Sequence, residues 1–73
     1  MKYFVFPHCV KIENNSGVTY GIVAMNGVVP AKIVKDVSTE YKTVRKLVKK
    51  LNQGHIELVH LDDIIEDFFF ENI

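Results

Sequence analysis

The sequence predicts an α+β fold in which a three-stranded antiparallel β-meander is followed by two α-helices packed on one face of the sheet, in the order βββαα. In the first half of the chain, apolar and polar residues alternate between clusters of turn-forming residues, as they do in β-strands. In the second half, apolar residues recur at spacings of three and four positions, as they do in amphipathic helices. We expect residues 1–73 to form one small domain.

The length and composition limit what this domain can be. A chain of 73 residues buries only about 60% of its unfolded surface, so a second copy of the chain is one candidate partner. Cys9 is the only cysteine, which excludes an intrachain disulfide and favours an intracellular setting. The N-terminus lacks a cleavage-like cluster of small residues, and no apolar run approaches the roughly 20 residues of a membrane helix. We therefore expect a cytoplasmic protein with no membrane partner.

The first predicted strand is the segment YFVFPHCVKIE. Alternation places His8 on the same face as four apolar residues, Phe4, Phe6, Val10 and Ile12. The cluster NNSG at residues 14–17 is a turn signal and ends this strand.

The next two strands are predicted to form a hairpin around Asn26-Gly27, since this dipeptide is a strong signal for a two-residue loop. That loop fixes the register of the pairs, which are Ala24–Val29, Ile22–Ala31 and Tyr20–Ile33. The three pairs share a mostly apolar face, and the opposite face is more polar. Pro30 cannot donate a ladder hydrogen bond, which suits an edge strand.

The first helix is predicted to begin at Ser38, a residue type that caps helices, and to end at Asn52-Gln53-Gly54. Its apolar side contains Tyr41, Val44, Leu47, Val48 and Leu51. The opposite arc contains only basic charges, which are Lys42, Arg45, Lys46, Lys49 and Lys50. We call these five residues the basic face.

The second helix is predicted to begin near His60 or Leu61. Its apolar side contains Leu61, Ile64, Ile65, Phe68 and Phe69. The acidic residues opposite are Asp62, Asp63, Glu66, Asp67 and Glu71, which we call the acidic face. Asp62 and Asp63 are expected in the first turn, where the helix dipole favours carboxylates.

Phe70 falls among these acidic residues, about 180° from Leu61 on the helical wheel. If the helix continues to Glu71, the ring faces water, and a large exposed apolar group tends to mark a contact surface. If the helix ends near Phe69, the ring can fold back onto the sheet. The sequence leaves both alternatives open.

The segment HLDDIIEDFFF raises the question of a metal site, because four carboxylates and a histidine lie close together. Asp62 and Glu66 are one turn apart, as are Asp63 and Asp67, so either pair could chelate. None of the HExxH, CxxC or EF-hand spacings is present. A solvated helix face explains the same residues, so we predict no metal and no cofactor.

A catalytic site is also not predicted. Cys9 lies alone in a strand pattern, where a cysteine is usually a small buried residue. His8 is its neighbour, but adjacent strand residues point to opposite faces. The chain has no Ser/His/Asp order, no phosphate-binding glycine loop and no cofactor motif. We predict that the protein is not an enzyme.

Four separated segments support a family resemblance: YGI, DVST, VRKLVKKLN and HLDDIIEDF. In this order they resemble a group of short proteins from Gram-positive bacteria known only as a domain of unknown function. The resemblance covers roughly residues 18–70, and its closing motif falls on His60, Asp63, Glu66 and Asp67. The N-terminal strand and the FFFENI tail are less typical. The resemblance implies a fold and no particular activity.

The leading functional hypothesis is a small non-enzymatic interaction or regulatory protein that acts through protein–protein contact. The expected contact residues are those of the two charged helix faces and Phe70, namely Asp62, Asp63, Glu66, Asp67, Phe70, Lys42, Arg45, Lys46, Lys49 and Lys50. A first alternative is an inhibitor of the kind that phages and mobile elements direct against host nucleic-acid-binding or defence complexes, such as CRISPR complexes. In that case the acidic helix would mimic phosphates.

A second alternative is nucleic-acid binding through the basic face, since each cation that contacts a phosphate adds affinity by counterion release. A net charge of zero argues against it. The predicted sheet also lacks an aromatic platform beyond Tyr3. An internal explanation of the charges is that Lys46, Lys49 or Lys50 pairs with Asp63 or Asp67, at about 0–1 kcal/mol for each pair.

Overall fold

Three strands and two helices follow one another along the chain, as predicted. The computed structural model describes residues 1–71, and the side chain of Ile12 also lies outside that description. The elements are β1 Lys2–Ile12, β2 Asn15–Asn26, β3 Val29–Ser38, α1 Tyr41–Gln53 and α2 Leu58–Glu71. The strands form one antiparallel sheet in the order β1-β2-β3. The α+β fold of type βββαα is therefore confirmed.

Strands β1 and β2 pair without interruption from Lys2↔Met25 to Ile12↔Asn15. The loop between them is only two residues long, and Glu13 in it has a φ of 57°. The bounds of the turn predicted at residues 14–17 are therefore wrong, because the loop is residues 13–14 and β2 already begins at Asn15. The short loop extends the ladder almost to the tip of the hairpin.

The second hairpin forms, but the predicted register is wrong. Its loop is Gly27-Val28, and Gly27 has a φ of 64°, the glycine requirement of a type II′ turn. The observed pairs include Asn26–Val29, Ala24–Lys32, Ile22–Val34 and Tyr20–Ser38. Register shifts lie between Tyr20 and Ile22 and between Ala24 and Met25. Because the loop lies one residue later than predicted and the register shifts twice, none of the three predicted pairs forms.

One of the register shifts requires a glycine in β2. A Cβ atom at Gly21 would lie 2.0 Å from the carbonyl oxygen of Val34, far inside van der Waals contact. On β3, Asp36 adopts a φ of 58° in the same irregular segment. The β3 backbone therefore approaches β2 closely at a point that only glycine permits.

The core lies between one face of the sheet and the two helices. Its buried residues are Tyr3, Ile22, Ala24, Val37, Val44, Leu47, Val48, Leu51, Leu61 and Ile65. Tyr3 is 1% exposed and its neighbour Phe4 is 45% exposed, so the helices cover the odd-numbered face of β1. The apolar face predicted for β1, with Phe4, Phe6 and Val10, is the outer one. The same prediction for Ile12 lies outside the described residues.

Tyr3 ties the start of β1 to the end of α1. Its backbone N–H donates to Asn52 Oδ1 at 2.8 Å, and its carbonyl accepts from Asn52 Nδ2 at 2.9 Å. Its phenol donates to the carbonyl of Ile56 at 2.7 Å. Burial raises the pKa of Tyr3, and the nearby carboxylate of Glu57 raises it further. The end of α1 is therefore held beside the start of β1.

Helix α1 begins at Tyr41, later than predicted, because β3 continues through Ser38. Glu40 is the N-cap residue without a side-chain cap, and Ser38 Oγ instead accepts from the N–H of Glu40 at 3.1 Å. Four of the five predicted apolar residues are buried. Tyr41 is the exception, since it is exposed and its ring packs edge-on against Tyr20 with 5.4 Å between centroids.

Helix α2 begins at Leu58 and so includes residues that were predicted to be a connection. Asp62 and Asp63 therefore do not lie in its first turn. The prediction that the helix dipole stabilises their carboxylates there is wrong. Leu61 and Ile65 are buried. Within residues 1–71 neither helix is long and apolar enough to cross a membrane.

Candidate functional site

All five residues of the basic face are exposed along α1. The ion pairs among the described residues are His8–Asp36 and Lys32–Asp62. The expected pairing of Lys46, Lys49 or Lys50 with an α2 carboxylate is therefore not formed in residues 1–71. Because these positive charges are not neutralised by α2, they remain available to a partner.

The acidic face is exposed along α2, and one of its members is used inside the chain. Asp62 Oδ2 accepts from Lys32 Nζ of β3 at 2.6 Å. The side chain of Asp62 is 69% exposed and that of Lys32 is 35% exposed, so solvent screens this pair and it contributes about 0–1 kcal/mol. Asp63, Glu66 and Asp67 form no ion pair within the described part of the chain.

Two exposed apolar side chains lie at the ends of this acidic surface. Phe70 is 82% exposed and Val59 is 73% exposed. Since α2 continues to Glu71, the first of the two alternatives for Phe70 is confirmed. Val59, Asp63, Glu66 and Phe70 are spaced by four, three and four residues, so they share one line along the helix. We call these four residues the α2 stripe, which is about 16 Å long at 1.5 Å per residue.

An open groove of about 870 Å³ runs between β1 and α1. The residues that matter for its chemistry are Val5, Pro7, Tyr41, Arg45, Lys49 and Asn52. We call it the β1–α1 groove. Sequence analysis placed Arg45 and Lys49 on the basic face but did not predict that they line a groove beside a strand edge. The signal for it is the spacing of Tyr41, Arg45, Lys49 and Asn52, which follow one side of a helix.

A polar row that the sequence did not predict crosses the outer face of the sheet. Thr19 Oγ1 donates to Asp36 Oδ1, and His8 Nδ1 lies 3.2 Å from the same oxygen. The hydrogen bond from Thr19, followed by that from His8, lowers the pKa of Asp36. The Thr19 hydroxyl is therefore oriented toward a carboxylate and not toward the imidazole.

Cys9 is exposed on β1, so its interpretation as a buried residue is wrong. Within residues 1–71, no three His, Cys, Asp or Glu side chains are grouped closely enough to hold a metal ion.

Comparison with known proteins identifies the family and goes no further. No curated protein and no solved structure matches the chain. One family profile matches residues 1–71, which is nearly the whole sequence. The chain therefore belongs to DUF6514, a family of unknown function.

Proposed function

We propose that the chain is a non-enzymatic interaction protein that binds a protein partner through the outer surface of its helices. The observation that carries this proposal is the α2 stripe, in which Phe70 and Val59 are exposed at the two ends of an acidic line. A helix that serves only the core would place polar residues at these positions. Large exposed apolar side chains next to charges are typical of contact surfaces.

The chemistry of the stripe indicates what the partner presents. Asp63 and Glu66 favour basic side chains on the partner, and Phe70 requires an apolar pocket about 16 Å from a second apolar contact at Val59. The role that fits a chain with so little room for a deep pocket is regulation of the partner. One form of regulation is inhibition, since a line of carboxylates can occupy the phosphate site of a nucleic-acid-binding protein.

We propose that the protein acts in the cytoplasm of a Gram-positive bacterium. The single cysteine, Cys9, supports a reducing compartment. The order of the YGI, DVST and HLDDIIEDF segments supports the host, through the resemblance to short proteins of such bacteria.

Nucleic-acid binding through the basic face is the second candidate function. The observation that favours it is that none of the five cations of α1 is paired with an acidic side chain within residues 1–71. A cationic helix surface of this kind attracts phosphates without sequence specificity.

Site-specific photo-crosslinking in living cells tests the proposal. Phe70 is replaced by p-benzoylphenylalanine, and the matched control carries the same residue at Val28, which is 92% exposed at the tip of the second hairpin. We expect a discrete adduct from position 70 that protease removes and nuclease does not, and no such adduct from position 28. Adducts that are equal at the two positions, or that nuclease removes, would contradict the proposal.

A further inference from the structure

The outer edge of β1 is open along the β1–α1 groove. Tyr3 directs its N–H and carbonyl away from β2, since both are bound by the side chain of Asn52. The β1–β2 register is uninterrupted, and in an antiparallel ladder this orientation repeats every second residue. Val5 and Pro7 therefore also direct their backbone groups into the groove.

The next position along this edge is free. Among the described residues Val5 forms no hydrogen bond to α1 comparable to the two that Tyr3 makes with Asn52. The amide of Asn52 occupies the place that one residue of a fourth strand would take opposite Tyr3. The place opposite Val5 is empty. Pro7 offers a carbonyl and has no N–H, so it limits pairing at the far end.

The dimensions of the groove fit a short extended segment. Since Asn52 takes the place opposite Tyr3, the free edge runs from Phe4 to Pro7, about 10 Å at 3.4 Å per residue, which corresponds to three or four residues of an added strand. On the helix side, Tyr41 to Asn52 span about 16 Å at 1.5 Å per residue. Asn52 lies beside Tyr3, and Tyr41 packs on Tyr20, the partner of Pro7, so α1 runs antiparallel to β1 along the same stretch. The groove is open to solvent and has a volume of about 870 Å³.

The charge of the groove indicates which kind of segment can bind there. Arg45 and Lys49 line it, and none of its lining residues within 1–71 is acidic. Lys2 lies at the β1 side, with its ammonium 5.8 Å from the centre of the Phe4 ring. The carboxylate of Glu57 acts on the phenol of Tyr3, at one end of the lining. Val5, Val48 and the exposed ring of Tyr41 provide apolar contact.

We propose that the β1–α1 groove binds an extended acidic segment of a partner protein, which adds to the sheet as a fourth strand beside β1. Its backbone pairs with Val5, its carboxylates contact Arg45 and Lys49, and its alternate apolar side chains pack on Tyr41 and Val48. This inference rests on the proposed function, because it names one part of the protein partner and the surface that receives it.

Titration with defined peptides tests the proposal on the full chain. The probe is the capped peptide Asp-Val-Glu-Val-Glu-Val-Asp, followed by amide chemical shifts and amide hydrogen exchange. We expect saturable shifts centred on Val5 and Tyr41 and slower exchange of the Val5 N–H. A peptide with lysine in place of each acid should bind at least tenfold more weakly. The acidic peptide with N-methylated backbone amides should also lose at least tenfold, because it cannot pair with a strand edge.

Two double variants on the same helix separate the groove from general charge. Arg45→Glu with Lys49→Glu should lower the affinity at least tenfold, whereas Lys46→Glu with Lys50→Glu, which lie outside the groove, should lower it less than threefold. Val5→Pro removes the outward N–H and leaves the β1–β2 ladder intact, so it should also abolish binding. If this variant is misfolded, the N-methylated peptide tests the same contact on the native chain.

Each contrary result overturns the proposal. Equal binding of the N-methylated peptide would show that charge alone attracts the segment. Equal losses from the two double variants would show the same, and tighter binding of oligothymidine than of the acidic peptide would favour nucleic acid. If peptide binding fails while the Phe70 adduct persists, the groove is refuted and the proposed function stands. If the Phe70 adduct fails while the peptide binds, the α2 contact surface is refuted.

Discussion

Helices α1 and α2 are nearly equal in length but contribute differently to the fold. Helix α1 has 13 residues and buries four of them, whereas α2 has 14 residues and buries two. The apolar residues of α1 fall on one stripe, but those of α2 surround more of the helix and include exposed Val59 and Phe70. The comparison indicates that α1 stabilises the sheet, while α2 has apolar surface that the core does not use.

The charges of the two helices differ in the same way. The basic residues of α1 lie opposite its buried side and leave the packing undisturbed. On α2, one acid is paired with β3, and two others lie between the exposed apolar side chains of the α2 stripe. This exposed surface, apolar beside charge, is the one that we propose binds a protein partner.

The largest expected difference between the helices is in the effect of truncating a core leucine. Leu51→Ala in α1 should lower the free energy of unfolding by about 3 kcal/mol, because the side chain is 1% exposed and leaves a cavity against the sheet. Leu61→Ala in α2 should cost less globally, about 2 kcal/mol, because α2 buries two residues where α1 buries four, so we expect α2 to detach while the sheet and α1 persist. Urea denaturation measures both values.

Amide hydrogen exchange distinguishes the two variants by region. In the Leu61→Ala protein, the amides of α2 should lose protection while those of β2 and α1 keep it. In the Leu51→Ala protein, protection should fall throughout the sheet and α1. Equal losses in both variants would show that α2 is as strongly coupled to the core as α1.

The sequence predicts α1 better than it predicts the rest, for a physical reason. Val44, Leu47, Val48 and Leu51 repeat with the helical period, and burial follows from that period alone. In α2 there are more apolar residues than one stripe of the helix can hold, so the helical period does not show where the helix begins. For this reason Val59 was not predicted to be an exposed helical residue. The strand pattern gives the sheet but not its register, which depends on bulges near Gly21 and Met25.

The candidate sites also differ in how far the sequence predicts them. The exposure of the charged faces could be predicted, because it requires only the position of each residue on a helix. The β1–α1 groove could not, because it depends on Asn52 meeting Tyr3, 49 residues away in the sequence. The pairing of Lys32 with Asp62 depends on the shifted register of β3 and was likewise not predictable. Contacts between distant elements follow from packing that local periodicity does not encode.

The next largest effect concerns the contact that fixes α1 to the strand edge. Asn52→Ala removes both side-chain hydrogen bonds to the backbone of Tyr3 and should cost about 1–2 kcal/mol. Gln53→Ala is the matched control, because Gln53 is exposed at the neighbouring position, and it should change stability by less than about 0.5 kcal/mol. Equal urea midpoints for the two variants would show that water replaces the amide without cost.

A smaller effect should appear at alkaline pH, at the connection between the two helices. The pKa of Tyr3 is raised by burial and by Glu57, whereas an unfolded tyrosine ionises near pH 10, at about its ordinary value. The neutral phenol therefore contributes stability that is fully present below about pH 10 and is lost as the pH rises through the folded pKa. In Tyr3→Phe, which lacks the bond to Ile56, this loss should be missing.

The measurement is urea denaturation of the wild type and of Tyr3→Phe between pH 8 and pH 11. The stability gap between them should narrow as the pH rises, while lysines and the other tyrosines affect both proteins alike. A gap that stays constant through this interval would show that the Tyr3 phenol titrates at its ordinary value in the folded chain.

The smallest effect on stability is expected where the effect on binding is largest. Phe70→Ser should change the free energy of unfolding by less than about 0.5 kcal/mol, because the ring is mostly exposed and transfers little apolar area from water on folding. It should weaken partner binding about thirtyfold, as removal of an aromatic hot spot does. Val28→Ser is the control, because Val28 is 92% exposed at the tip of the second hairpin, and it should change neither quantity. A loss of stability above about 1 kcal/mol in Phe70→Ser would mean that the ring stabilises α2 itself. The proposed difference between α1, which stabilises the sheet, and α2, which offers a contact surface, would then be wrong.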